Sequence, residues 1–342
     1  MSVSRDDADR RTVTLEQGSG GSASRGLVER VIFPRLRNPS YRELSDAAAV
    51  DMPARALFTT DTYVVDPPFF PGGDIGKLAV FGTCNDLAVS GGAPRFLSLA
   101  LVIEEGFAVA DLERILDSAA RASAEVGVRI VTGDTKDVPR GRGGGVFVNT
   151  AGVGERLFPF DLSPARIAPG DAVVVSGPVG AHGLAVLAAR EGLRAAAGVS
   201  SDCANLDPLC RGLHALGDGL RFMRDATRGG VAAILNEIVS GAAFGIEVRE
   251  EAFAVSPEVR TISEILGLNV LEIANEGVFV AVVAAALAPR TIELLRGMPN
   301  GREAAIVGAV TSGRPGKVVA LTAIGGRRIL DWPRGLLLPR IC

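Results

Sequence analysis

The sequence predicts two α+β domains, and three observations carry that expectation. At 342 residues the chain favours two domains over one. Its hydrophobic content of 47% is enough for sizeable cores, and 22% charged residues is ordinary for a soluble protein. Strand-like runs alternate with helical patterns, but hairpin-like connections mix with crossovers, which favours α+β over a doubly wound sheet.

The first unit reads in order. Thr12 to Leu15 is a predicted strand, followed by a glycine-rich loop, Gln17-Gly18-Ser19-Gly20-Gly21. Leu27, Val28, Val31 and Ile32 then form one apolar face of a short helix. Strands are expected at Ala56 to Thr59 and around Tyr63 to Val65, with a loop from Pro67 to Gly73. Asp74 is placed as the N-cap of a helix running to about Ser90 and closed by Gly91-Gly92. A strand at Leu97 to Ile103 precedes a helix at Asp111 to Val126, with Leu112, Ile115 and Leu116 on one face. Strands at Val128 to Thr132 and Phe147 to Gly152 complete the unit.

The turn Ala168-Pro169-Gly170-Asp171 opens the second unit. A strand at Ala172 to Ser176 leads to a helix from about His182 to Arg190. Further helices are expected near Leu206 to Gly217, Thr227 to Val239 and Thr291 to Arg296. Strands near Val278 to Val283, Ala305 to Val310 and Val318 to Thr322 fill out the rest. The boundary falls in the Pro-containing connection between Leu162 and Pro169. Four segments result: 1–40, with the glycine-rich loop and short helix; 41–163, the first domain; 164–328, the second; and 329–342, a mobile tail.

Composition excludes several classes. A net charge of −3, with 5% aromatics, leaves no polyanion footprint and little base-stacking equipment, so nucleic acid is not an expected partner. No apolar run reaches the roughly 18 residues of a membrane span, and the N-terminus lacks an apolar signal core, so a cytoplasmic location is expected. Cys84, Cys203 and Cys210 read as core or structural free thiols, and with His182 and His214 they complete no zinc spacing. His182, at a helix start, reads as a capping or ligand-positioning residue, with acid/base work as the alternative; His214 reads as structural.

The remaining cysteine is Cys342, the last residue. Pro333 and Pro339 keep the stretch around it out of helices and central strands, so Asp331 to Cys342 reads as a semi-extended arm. Roughly ten residues of such an arm span about 30 Å. A thiol on it can visit more than one place, which suits a carrier or self-delivered substrate; an inert terminal cysteine is the plain alternative. No prenylation box is present, since that needs cysteine four residues from the end.

Five aspartates recur where predicted strands meet loops or helices: Asp46, Asp61, Asp86, Asp134 and Asp225. Each alone fits a turn or a cap. Together, in settings rich in Thr and Gly, they supply the hard oxygen ligands that Mg²⁺ takes alongside phosphate. Lys77, Lys136 and Arg228 add charge for polyphosphate, and Gly229-Gly230 opens a helix whose N-terminal amides could face an anion. Gly72-Gly73-Asp74-Ile75-Gly76-Lys77-Leu78 imitates a P-loop, but its glycine spacing is one short and Leu78 replaces the Mg²⁺-binding hydroxyl. An ATP site here would hold its Mg²⁺ on scattered aspartates.

These strings have a family resemblance. Thr60-Asp61-Thr62-Tyr63-Val64-Val65, Phe69 to Leu78, Glu104-Glu105-Gly106 and Val131-Thr132-Gly133-Asp134-Thr135-Lys136 all resemble the HypE family of hydrogenase maturation factors. So do Arg224 to Gly230, Ala274-Asn275-Glu276-Gly277 and the terminal Pro-Arg-Ile-Cys, so that the resemblance runs from Gln17 to Cys342. The family belongs to the aminoimidazole ribonucleotide synthetase-like (PurM-like) superfamily, alongside selenophosphate synthetase and thiamine-monophosphate kinase.

The resemblance implies an N-terminal α/β domain whose strands pair across a homodimer, a second α/β domain, and ATP between them. It implies that Cys342 receives a carbamoyl group from the carbamoyltransferase HypF. The S-carboxamide is then dehydrated with ATP to an S-thiocyanate, and the cyano group passes to iron on the HypC–HypD pair, for [NiFe] hydrogenase. Within that scheme Cys342, Glu276 and Lys136 are the catalytic candidates. Lys77, Lys136, Gly18, Gly20, Gly21, Thr135 and Arg228 are assigned to nucleotide, and Asp46, Asp61, Asp86, Asp134 and Asp225 to Mg²⁺. Glu276 is the expected base, because a desolvated carboxylate before an apolar strand has a raised pKa; a capping or ion-paired carboxylate is the alternative. The family's loop usually begins with His where this chain has Gln17, which hydrogen-bonds but does not shuttle protons at neutral pH. Two rivals remain at this stage: a superfamily kinase or synthetase acting on a free small molecule, and a non-catalytic nucleotide-binding scaffold.

Overall fold

The computed structural model describes residues 12–18, 21–40, 47–193 and 198–333. Gly20, Asp46 and Cys342, with the tail from Arg334, lie outside the described residues.

The described residues open with helical turns α1 (Leu15–Gly18), α2 (Gly21–Leu27) and α3 (Phe33–Leu36), the last two joined by a π-helical turn at Val28–Ile32. The predicted strand at Thr12 to Leu15 is therefore corrected: only Thr12 pairs, in a single bridge to Ala108. Thr14-Leu15-Glu16-Gln17 has the spacing of a capping box, and Gln17 Oε1 accepts from the Thr14 amide at 3.0 Å. Gly18 and Gly21 consequently belong to helical turns rather than to an open loop.

The first domain contains β1 (Ala56–Tyr63), the small hairpin β2 (Phe69–Phe70) and β3 (Gly73–Asp74), α4 (Ile75–Val89) and β4 (Gly92–Glu104). It continues through α5 (Val109–Val126), β5 (Arg129–Val138) and β6 (Val146–Arg156). The sheet order is β1-β6-β4-β5, antiparallel except for the β4–β5 pair that α5 connects. As expected, Asp74 caps α4, its carboxylate accepting from the Gly76 amide at 2.8 Å and the Lys77 amide at 3.0 Å. Helix α4 is apolar nearly all round, which buries it on every side: it packs on α5 and on the sheet, and also on the second domain. The opposite face of the sheet is uncovered among the described residues, with Phe58 72% exposed and Thr60 and Thr62 beside it.

In the second domain, β7 (Ala172–Val175), α6 (Ala181–Glu191), α7 (Asp207–Gly212) and β8 (Leu220–Asp225) come first. Then follow α8 (Gly230–Val239), β9 (Gly245–Arg249), α9 (Pro257–Leu266), β10 (Phe279–Val283), α10 (Ala288–Arg296), β11 (Ala305–Thr311), β12 (Val318–Leu321) and β13 (Arg327–Ile329). The sheet order β13-β12-β9-β11-β7-β10-β8 is antiparallel apart from β12–β9, which bears out the α+β reading. β7 and β10 are apolar on both faces because helices cover both: Val173, Val175, Val280 and Val282 face the α8 layer, while Val174 and Phe279 face Leu209 and Leu295.

Among the described residues of the second domain four elements were not expected, nor was the small β2–β3 hairpin of the first, read from sequence as loop. β8, β9 and β13 carry arginines or are short, so their alternation is weak, while α9 has a complete set of signals in Ser256, Pro257 and Gly267. The tail boundary also moves. β13 pairs with β12, and Leu330 is fully buried with its carbonyl accepting from Asn236 Nδ2 at 3.1 Å, so the domain runs past residue 328 to Leu330. Among the described residues no helix is long and apolar enough to cross a membrane.

Candidate functional site

The buried helix α4 delivers the site. It packs on α7 and β8 of the second domain, so its last turns, with Asn85 and Asp86, stand at the junction. Asp86 accepts from Thr59 Oγ1 at 3.0 Å, which ties it to β1 two residues before Asp61. Across the junction Asp225 ends β8, in register with Phe279 of β10, and Glu276 lies in the loop that enters β10. Asp86, Asp225, Arg224, Arg156, Phe58 and Phe222 line a cavity of about 520 Å³.

The electrostatics of this junction are unusual for an acidic site. Burial raises Asp86 and Asp225 above the ordinary carboxylate range, and Asp61 raises both further. Asp86 also raises Asp225, while Arg224 pulls both down. Glu276 is 4% exposed. Burial first, then the charges of Asp225, Asp202, Asp61 and Asp86, push it well above its usual value. Asp202 is pushed up to about 6 by burial, partly offset by the backbone amides of Glu276 and Gly277 that bond to it. Tyr63 extends the site into the core: its hydroxyl lies 3.2 Å from Thr83 Oγ1, which in turn bonds to Thr150 Oγ1.

Asp61, Asp86, Asp225 and Glu276 are therefore brought together, and Asp134 is not. Asp61, Thr150, Leu99 and Gly133 form one row across the first sheet, so Asp134 lies on the far edge strand. Three strand spacings amount to about 14 Å. There Asp134 is exposed, and its pKa is lowered by Lys136, whose Nζ donates to it at 2.9 Å. Thr135 sits between them. Lys77 donates to the Gly72 carbonyl at 3.0 Å from the first turn of α4. Asp74 takes the Gly76 and Lys77 amides of that turn, so these two amides serve as a helix cap. Arg228 is exposed in the turn before α8.

Among the described residues, no three His, Cys, Asp or Glu side chains are grouped to hold a metal ion on their own. Cys84, Cys203 and Cys210 are buried and free, as expected. His182 is fully buried, with Nδ1 2.8 Å from Ser201 Oγ and its ring edge-on to Phe70 of the first domain, which suits a positioning role. His214 stacks on Phe158. Sequence reasoning passed over Asn85 and Asp202, the two residues that hold the Glu276 backbone. The adjacent Asn85-Asp86 pair was a usable signal; Asp202, in an aperiodic stretch, offered none.

Both halves match known families. The AIR synthase related protein N-terminal domain model covers residues 44–156 and the corresponding C-terminal domain model covers residues 168–320, which makes this an AIR synthase-related protein. The chain is 46% identical over 332 residues to the carbamoyl dehydratase HypE of Rhizobium leguminosarum bv. viciae, covering 96% of this chain and 95% of that one. A crystal structure of the hydrogenase maturation protein HypE in complex with ATP matches with a TM-score of 0.92 at 43% identity, over 97% of this chain and 100% of that one. A chain of the HypE–HypF complex matches with a TM-score of 0.79 at 41% identity, over 90% of this chain and 99% of that one. The chain belongs to the HypE carbamoyl dehydratase family of hydrogenase maturation proteins.

Proposed function

We propose that this chain, a carbamoyl dehydratase by family, uses ATP to dehydrate an S-carbamoyl group on its own Cys342 to an S-thiocyanate. The product would supply the cyanide ligand of iron in [NiFe] hydrogenase. The observation that carries this reading is Glu276: a side chain buried among carboxylates at the domain junction, whose ionised form is a stronger base than an exposed glutamate and could take a proton from nitrogen. The carbamoyl oxygen, a poor leaving group, takes the γ-phosphoryl group of ATP and ADP departs. The C–O bond to phosphate then breaks as both N–H protons leave, one to Glu276 and one with the phosphate, and the C≡N bond remains on sulfur.

Mg²⁺ fits this chain's residues. Burial and the neighbouring carboxylates, Asp61 beside Asp86 and Asp86 beside Asp225, raise the proton affinity of both against the Thr59 hydroxyl, a backbone amide and Arg224, a repulsion that a divalent cation would relieve. Asp86, Asp225 and Asp61 would hold it together with phosphate oxygens, and it would neutralise charge on the transferring phosphoryl group. ATP binding is supported by the ATP complex of the similar HypE.

Asp134, Thr135 and Lys136 enter this scheme from a second copy. The sheet face around Phe58, uncovered among the described residues, suits pairing in a homodimer, which would carry the partner's Asp134 edge toward the Asp61 edge. HypF is the proposed carbamoyl donor, in line with the HypE–HypF complex, and HypC–HypD the acceptor of the cyano group. Three buried free thiols suit a reducing cytoplasm.

Mass spectrometry of the C-terminal peptide tests the reading, after incubation with HypF, carbamoyl phosphate and ATP. The carbamoylated peptide should lose one water. A carbamoylated peptide that persists in the presence of ATP would refute the dehydration step. Deleting Cys342 should abolish all productive turnover with nucleotide binding retained, whereas a small-molecule kinase would be indifferent.

A further inference from the structure

We propose that Asn85 and Asp202 are positioning residues that grip the Glu276–Gly277 backbone and so aim the Glu276 carboxyl group. The proposal rests on Glu276 being the base and deepens that assignment.

Asn85 is 1% exposed on α4, in the first domain. Its Nδ2 donates to the Ala204 carbonyl at 3.0 Å and to the Glu276 carbonyl at 3.3 Å, while its Oδ1 accepts from the Leu206 amide at 2.9 Å. The whole amide group is thus spent on second-domain backbone. Asp202 approaches the same loop from within the second domain. Its carboxylate accepts from the Glu276 amide at 3.2 Å and from the Gly277 amide at 3.1 Å.

The N–H of residue 276 is held by Asp202, and its C=O by Asn85 together with the Ala204 amide at 3.3 Å, itself next to the Ala204 carbonyl that Asn85 also holds. With both flanking peptide groups fixed, φ and ψ at residue 276 are fixed, and the Cα–Cβ direction with them. Gly277 makes the approach possible, since a Cβ there would collide with the Asp202 carbonyl oxygen. No other contact of Asn85 or Asp202 is needed for this effect, and neither side chain has to touch the substrate.

A double-mutant cycle tests the grip. Single-turnover dehydration of the HypF-carbamoylated full chain would be followed by mass spectrometry, with ATP affinity measured in parallel. Asp202→Ala and Asn85→Ala should each slow dehydration by about 100-fold, the cost of misplacing a catalytic group by about 1 Å. ATP affinity should change less than about threefold. Asp202→Asn keeps one acceptor oxygen and should recover part of the loss; it also carries the cycle if the alanine variant does not fold. In a Glu276→Gln background the same substitutions should slow the reaction no further, because there is no base left to aim. A full additional loss in that background would overturn the proposal and leave Glu276 as the base. A wild-type rate in Glu276→Gln alone would overturn both assignments.

Discussion

The side-chain amide of Asn85 donates to the main-chain carbonyl of Glu276 at 3.3 Å, joining the central helix of the first domain to the loop that carries the candidate base in the second. The domain junction and the candidate site are thus one structure. Removing the amide takes away the partner of the Ala204 carbonyl and of the Leu206 amide, and leaves the Glu276 carbonyl with the Ala204 amide alone. Asn85→Ala is expected to cost about 2 kcal/mol or more of stability, since each buried group left unpaired costs about 1–3 kcal/mol. Urea unfolding measures it, and a loss below about 0.5 kcal/mol would mean that water replaces the amide.

A pH dependence follows from Asp202. Its pKa is raised from 3.8 to about 6 in the folded chain, so the native state holds a proton that the unfolded state releases. The associated stability is complete below about pH 4 and is lost as pH rises through about 6, amounting to about 3 kcal/mol. In Asp202→Asn the fall in unfolding free energy between pH 4 and pH 6 should be shallower by about that amount. Parallel profiles for the two proteins would show that the carboxyl group is not perturbed by folding.

Asp86 and Asp225 make a separate prediction for the metal. Their mutual repulsion is a cost in the absence of a cation. Asp225→Asn should therefore raise the melting temperature of the metal-free protein at pH 8; millimolar Mg²⁺ is expected to raise that of the wild type and to leave the variant unchanged. Thermal scans with and without Mg²⁺ decide this; an equal Mg²⁺ response in both proteins would remove Asp225 from the metal site.

Gly82 presses against the Tyr63 hydroxyl, which a Cβ would overlap. Gly82→Ala is expected to destabilise by about 1–3 kcal/mol, as overpacking of a close-packed core does. Tyr63→Phe in the same chain should restore part of that loss by removing the nearest atom. Failure of this rescue in chemical denaturation would place the clash elsewhere.

Phe58, 72% exposed on the uncovered sheet face, tests the homodimer. Phe58→Glu would place charge in the middle of the proposed interface and should shift the mass in light scattering from dimer to monomer at micromolar concentration. Dehydration should fall with it if Lys136 acts from the second copy. A variant that stays dimeric would move the interface off this face.

Much of the fold was legible in the chain. Asp74 as a cap, the apolar run of α4 and the paired valines of β7 and β10 are local patterns, and each became the element that its pattern indicates. The strand expected at Thr12 to Leu15 failed because the Thr14–Gln17 capping box outweighs a short apolar alternation. β8 and β13 were missed because arginines interrupt their apolar alternation. The candidate acids could be named individually, yet their grouping could not.

By itself the sequence determined two α+β units, the positions of the acidic residues and a cysteine at the last position, because periodicity, caps and residue type are local properties. Only the tertiary structure decided that Asp61, Asp86, Asp225 and Glu276 share one environment while Asp134 and Lys136 stand on the far edge of the sheet. The physical reason is distance along the chain. Strand order and the domain junction depend on contacts such as Asn85 to Glu276, 191 positions apart, which no local pattern encodes.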